Sequence, residues 1–195
     1  MNPWHARLAV RVLRRGGIVL HATEGVWGFA CDPFDPDAVA RLLAAKGRAG
    51  TKGLILIGDA PERFAPELAA LEAGTRDAVV AGWPGAVTWI LPNRQFPPWI
   101  TGGRDTVAVR VPGHAGARAL VAAFGGPLVS TSANASGRPP ARNRFQARAR
   151  LRDLRRRGRR WRRSNEIYLL PGETAGRRGP SEIVTAGGER LRGGA

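Results

Sequence analysis

Residues 127–140 read PLVSTSANASGRPP, an apolar run that passes directly into hydroxyls, an amide and a glycine. Pro127, Leu128 and Val129 suit a short buried strand, and Ser130, Thr131, Ser132, Asn134 and Ser136 would follow on its exit loop. In α/β proteins ligands sit at such strand ends, and this set of donors suits a polyanion. The plainer reading is an ordinary Ser/Asn turn closed by Gly137. Three other stretches bear on the choice. Lys46, Arg48 and Lys52 punctuate a glycine-rich segment just before the apolar run Leu54 to Ile57, so that Lys46 and Arg48 could face one anion. The segment follows a helix rather than a strand and lacks G-x-x-x-x-G-K-[ST] spacing, which excludes a P-loop. Thr23 and Glu24 stand at another strand end, as a ligand site or as a turn. Thr106 and Arg110 fall on one face of the alternating run TVAVRV, and an arginine on a central strand needs an anionic partner.

The elements that must position these residues follow from caps and periodicity. Asn2 and Pro3 open a helix that Gly16 and Gly17 stop, and Asp35 and Pro36 open another that runs to Lys46. Strands are expected at Ile18 to Leu20, Leu54 to Ile57, Val87 to Leu91, Thr106 to Val111 and Ile167 to Leu170. Pro61 to Trp83 reads as two helical pieces, His114 to Phe124 as a helix, and Phe96 to Trp99 as an irregular proline-rich loop. A glycine-rich loop, PGETAGRRGP at 171–180, precedes a closing hairpin at 181–192.

A chain of 195 residues with 43% hydrophobic residues can bury a real core and reads as one domain, residues 1–195. The formal charge is +16, and Lys46 and Lys52 are the only lysines among 31 basic residues. Charge of this size favours polyanionic partners. Residues 142–163 concentrate twelve arginines against Asp153, a net +11 that leaves +5 for the rest, so they form a local basic arm. The arm reads as helical near Phe145 to Arg157, with Trp161 available to stack on a base, or as a solvated helix face. A single cysteine and three scattered histidines give neither a disulfide nor a zinc pattern. With no long apolar run and no signal-peptide core, a cytoplasmic protein without membrane contact is expected.

Taken together, HATEGVWG at 21–28, KGRAGTKGLIL at 46–56, WPGAVT at 83–88, TVAVRVP at 106–112 and STSANASG at 130–137 resemble the YrdC/TsaC family, the short bacterial threonylcarbamoyl-AMP synthases. The resemblance covers nearly the whole chain in order. It implies a mixed α/β fold of α+β type, a twisted mixed parallel and antiparallel sheet flanked by helices, with a positively charged concave site. The reaction it implies joins L-threonine, bicarbonate or CO2, and ATP into threonylcarbamoyl-adenylate and pyrophosphate. The product would pass to the tRNA threonylcarbamoyl transferase machinery, with tRNA contact through the 142–163 arm as one expectation.

By the same resemblance, Thr23 and Arg110 would bind L-threonine. Lys46 and Arg48 would be the catalytic cations and, with Lys52, Thr106, Ser130, Ser132, Asn134 and Arg177, would hold ATP. Ala22 and Ala49 stand where family members usually have proline, which sets backbone shape rather than chemistry. The chemistry suits the residues: a carbamate formed from threonine and CO2 attacks the α-phosphorus, so no protein nucleophile is needed and positioning with charge neutralisation suffices. Mg2+ would ride on the ATP phosphates, with no metal ligands supplied by the protein. Two rivals remain at this stage. One is a non-catalytic double-stranded RNA or tRNA-binding module of the same fold. The other is an enzyme of related fold acting on another carbamoyl or phosphorylated substrate, as the YrdC-like domain of hydrogenase maturation proteins does, although the zinc-finger and acylphosphatase-like segments of those chains are not found in this sequence.

Overall fold

Asn2 accepts the Trp4 amide at 2.8 Å and thereby starts α1 (Pro3–Arg14). Asp35 does the same for the Ala38 amide at 2.9 Å and starts α2 (Pro36–Lys46), which Gly47 closes in the left-handed conformation. The structure, a computed structural model, describes residues 1–48, 50–135, 137–157, 167–177 and 179–192. Ala49, Ser136, Trp161 and positions 158–163 of the arm lie outside the described residues.

Nine strands among the described residues share one sheet: β1 (Ile18–Ala22), β2 (Trp27–Cys31), β3 (Ile55–Ile57), β4 (Val87–Pro92), β5 (Thr106–Arg110), β6 (Leu128–Ser132), β7 (Ile167–Leu169), β8 (Glu182–Thr185) and β9 (Arg190–Arg192). Their order is β7-β1-β2-β6-β3-β5-β4-β8-β9. The pairs β1/β7, β3/β5 and β4/β8 are parallel and the other five antiparallel, so the mixed sheet expected from the sequence is present. The remaining helices are α3 (Ala65–Ala69), α4 (Ala73–Ala81), α5 (Pro98–Thr101), α6 (Ala115–Phe124) and α7 (Arg144–Arg157).

The two faces of the sheet are covered unequally. On one, Val39 and Leu42 of α2, Leu68 of α3, Ile100 of α5 and Leu154 of α7 pack with Ile18, Leu20, Phe29 and Leu56 of the strands. Phe64 joins this layer between Trp83 and Phe96, with ring centroids 5.8 and 6.4 Å away. On the other face, Ala9, Val12 and Leu13 of α1 and Leu120 and Val121 of α6 meet Val19, Ala30, Ile57 and Leu128. Those two helices reach only part of this face, and the hollow described below lies beyond them.

Three expectations differ from what the fold shows. Trp27–Cys31 is a strand, although WGFAC shows no alternation; all five residues are buried, so neither face carries a polar signal. Ser130, Thr131 and Ser132 belong to β6 rather than to the loop after it, and pair with Ala30, Phe29 and Gly28 of β2. Their backbone is satisfied by the ladder, and the hollow, not a helix, lies over the Ser130 and Ser132 side chains. Residues Pro98–Thr101 form the short helix α5 where an irregular loop was expected, starting on two prolines with fixed φ and closed by Gly102 at φ 68°.

Because α2 delivers Lys46 in its last turn, the Asp35 cap also bears on the site. Asp35→Ala should cost about 1 kcal/mol in urea unfolding, with the denaturant slope unchanged. An unaltered midpoint would mean that the cap carries no stability.

Candidate active site

The uncovered part of the second face is a hollow of about 450 Å3 floored by β2, β6, β3, β5, β4 and β8. Arg48, Lys52, Arg104, Arg110, Arg177 and Arg192 line it, and Glu24 is the one acidic side chain among the lining residues. Such a concentration of donors, with few acceptors, suits a ligand carrying several negative charges.

Arg110 and Glu24 form the most buried charge pair of the site, 7% and 9% exposed. Arg110 Nη2 donates to Glu24 Oε2, and the Gly113 amide donates to Glu24 Oε1 at 2.7 Å. Burial pulls the Arg110 guanidinium below its ordinary value, Glu24 resists the shift, and Arg177 adds to it. Arg110 Nε has no hydrogen-bond partner among the described residues. As the alternation of TVAVRV requires, Thr106 lines the hollow from the same strand. Thr23 closes the turn between β1 and β2: its hydroxyl donates to the Val26 carbonyl at 2.7 Å.

Lys46 and Arg48 lie at different depths. Lys46 is 3% exposed and lies beneath the loop that follows β6, where Nζ donates to the carbonyls of Ser132 and, at 3.1 Å, Asn134. Burial, with Arg48 nearby, pulls its amine down to about 8. Arg48 lines the hollow and donates to the Gly53 carbonyl at 2.7 Å; its Nε, too, has no partner among the described residues. Ser130 and Ser132 line the floor. Asn134 turns its amide to the carbonyls of Ala135 and Arg138, at 3.0 and 2.6 Å, and so shapes the loop from one layer back.

The loop before β8 closes one side. The Arg177 amide donates to the Glu24 carbonyl at 3.0 Å. A Cβ added to Gly25 would lie 2.3 Å from the Gly179 carbonyl oxygen and 2.7 Å from that of Arg177, so only glycine admits this approach.

Thus Thr23, Arg48, Lys52, Thr106, Arg110, Ser130, Ser132 and Arg177 meet at one hollow, with Lys46 and Asn134 behind it. Sequence reasoning does not find Arg104, Ser181 or Arg192. Arg192 reaches the wall from β9 and donates through Nε and Nη2 to the Ser181 carbonyl at 3.1 and 2.9 Å, while Ser181 Oγ meets Thr88 Oγ1 at 2.9 Å. Burial, Arg110 and Arg48 all lower the Arg192 pKa. In an arginine-rich sequence an arginine on a short terminal strand carries no signal of this position. No group of three or more His, Cys, Asp or Glu residues that could hold a metal occurs among the described residues.

The Sua5_yciO_yrdC family model, described as telomere recombination, matches residues 11–192. The threonylcarbamoyl-AMP synthase of Nitrosococcus oceani is 45% identical over 97% of this chain and 97% of its own. That of Halorhodospira halophila is 53% identical over 73% of this chain and 75% of its own. The crystal structure of P. abyssi Sua5 complexed with L-threonine superposes with a TM-score of 0.82 at 29% identity. It matches 95% of this chain, which spans about half (52%) of that longer one.

If the Glu24 carboxylate compensates Arg110, Glu24→Ala should destabilise the protein by about 3 kcal/mol in urea unfolding, since it strands a buried guanidinium. A loss below about 0.5 kcal/mol would show that the guanidinium is hydrated instead.

Proposed function

The chain belongs to the Sua5/YciO/YrdC family, and from that premise we propose that it makes threonylcarbamoyl-AMP and pyrophosphate from L-threonine, bicarbonate or CO2, and ATP. The observation that carries the reading is the convergence of six cations on a hollow whose one carboxylate is already engaged by Arg110 and the Gly113 amide. ATP and the threonine carboxylate are the acceptors such a wall lacks.

In this reading Arg110 faces the threonine carboxylate and Thr23 borders it. Arg48, Lys52, Thr106, Ser132 and Arg177 take the nucleotide, Lys46 and Asn134 hold the loop that carries Ser132, and Ser130 lies between the two substrates. Arg192 and Arg104 extend the cationic wall. The threonine amine adds to CO2 and loses a proton to give a carbamate. A carbamate oxygen then attacks the α-phosphorus, and the bond to the β-phosphate oxygen breaks to release pyrophosphate. The protein supplies positioning and charge neutralisation, the two effects that dominate phosphoryl and nucleotidyl transfer. Glu24 is committed to Arg110, so the lining does not fit a protein-held magnesium; Mg2+ would enter on the ATP phosphates.

The described elements share one sheet, which supports reading residues 1–195 as one domain with 142–163 as its arm. A cytoplasmic location follows from the substrates, ATP and, through the product, the tRNA-modifying machinery. No helix among the described residues is long and apolar enough to cross a membrane. The arm supports a tRNA contact: Arg144, Arg148, Arg152 and Arg156 recur every fourth residue along α7 and are exposed, whereas Ala147 and Leu154 are buried.

Pyrophosphate release from ATP that requires both L-threonine and bicarbonate is the direct test, and release without either would overturn the reading. Within it, Lys46→Ala and Arg48→Ala should each lower turnover by about 30- to 1,000-fold, as expected for a lost charge-assisted contact worth about 2–4 kcal/mol. Circular dichroism should stay unchanged, and near wild-type turnover in either folded variant would remove that residue from the site. For the arm, changing Arg148, Arg152 and Arg156 to Gln should lower the slope of log tRNA affinity against log salt by about 2–3. Threonine-dependent pyrophosphate release should persist; an unchanged slope would make α7 a solvated face.

A further inference from the structure

His21 is 1% exposed, and its cross-strand neighbour on β2 is Gly28, which lines the hollow. A Cβ on Gly28 would lie 3.4 Å from both His21 Nε2 and Ser130 Oγ, so the missing side chain leaves the space in which those two atoms meet, 3.3 Å apart. His21 Nδ1 lies 3.2 Å from the Ala22 carbonyl oxygen. A carbonyl only accepts, so Nδ1 carries the ring proton. Burial is the main cause that pulls the ring down to about 4; the Ala22 carbonyl opposes it, and His114 and Arg110 add to it. The ring is therefore neutral, and Nε2 can only accept. The one hydroxyl proton of Ser130 then points at His21, and the Ser130 lone pairs are left for the hollow.

We propose that His21 is a positioning residue which fixes Ser130 as a hydrogen-bond acceptor for the amine of L-threonine. The inference rests on the reaction proposed above and deepens it. Around the hollow, donors abound: six cationic side chains face it, and phosphates and carboxylates are what they attract. The threonine amine, whose nitrogen forms the carbamate, is the reacting centre that needs an acceptor. Each Glu24 oxygen already accepts one hydrogen bond, from Arg110 and from the Gly113 amide, and the carboxylate's charge is matched by Arg110. Thr23 gives its hydroxyl proton to the Val26 carbonyl, at the rim of the same turn; on the floor, Ser130 cannot donate to a phosphate without abandoning its buried partner. Its fixed polarity separates it from the phosphate-facing residues with which sequence alone groups it.

The test is a double-mutant cycle read as separate KM values for L-threonine and ATP in the pyrophosphate-release assay. His21→Leu should raise the KM for L-threonine about tenfold and leave that for ATP within twofold. His21→Gln, whose amide oxygen can still accept from Ser130, should recover most of the loss. In a Ser130→Ala background the His21 change should add nothing further. A rise in the ATP KM, additive losses or no change would overturn the assignment, since a merely structural role for His21 would act with Ser130 absent. If His21→Leu does not fold, the wild-type protein still decides. Nitrogen-15 imidazole spectra should show His21 protonated at Nδ1 and bare at Nε2, and the opposite tautomer would overturn the proposal. Failure of the parent reading is distinct, because the wild-type enzyme would then show no threonine-dependent pyrophosphate release at all.

Discussion

Six cations gathered against one carboxylate repel one another, and much of the architecture around the hollow can be understood as what keeps them there. Arg110 is held by Glu24, Arg48 by the carbonyls of Lys52 and Gly53, Arg192 by that of Ser181, and Arg104 by that of Thr101. Backbone carbonyls offer partial negative charge without the full charge of another carboxylate, so they orient the guanidinium groups without neutralising them. The depressed pKa values of Arg48, Arg110 and Arg192, each caused first by burial, mark how incompletely the charge is compensated before an anion arrives. Electrostatic preorganisation of this kind does its reorganising at folding rather than at reaction.

The same constraint explains why the second face of the sheet is only partly covered. Helices on both faces would bury the hydroxyls of β6 and the guanidinium of β5 in an apolar layer, where they would lack partners. With α1 and α6 confined to one part of the face, Val19, Ala30, Ile57 and Leu128 meet helices while Ser130, Ser132 and Arg110 line the hollow. Along β6 the change from Leu128 and Val129 to Ser130 and Ser132 marks the boundary between covered and open sheet.

That boundary is also why much of the site is legible in the sequence. Arg110 among valines and Ser130, Ser132 and Asn134 after an apolar run are polar residues where burial forbids them without a ligand or partner. Caps at Asn2 and Asp35 announce their helices because the signal is local. What escapes is either uniformly buried or distant. Trp27–Cys31 lacks alternation because all five of its residues are buried, and the one facing the hollow is glycine. Arg192 joins the wall only through the pairing of β9 with β8, and of β8 with β4, an arrangement no local pattern encodes. Depth is equally hidden: Lys46 and Arg48 are two residues apart, yet one reaches the hollow and the other binds the loop behind it.

The parallel pairing of β1 with β7 brings Ile18 beside Ile167, and the wall of the hollow draws on residues from Thr23 to Arg192. A chain emerging from the ribosome therefore carries Arg48 and Arg110 before β6, β8 and β9, which complete the hollow, exist. For that interval the half-made sheet exposes its edges and an unneutralised cluster of arginines to a cell full of RNA. Folding dominated by such distant pairings is slow, which lengthens that interval.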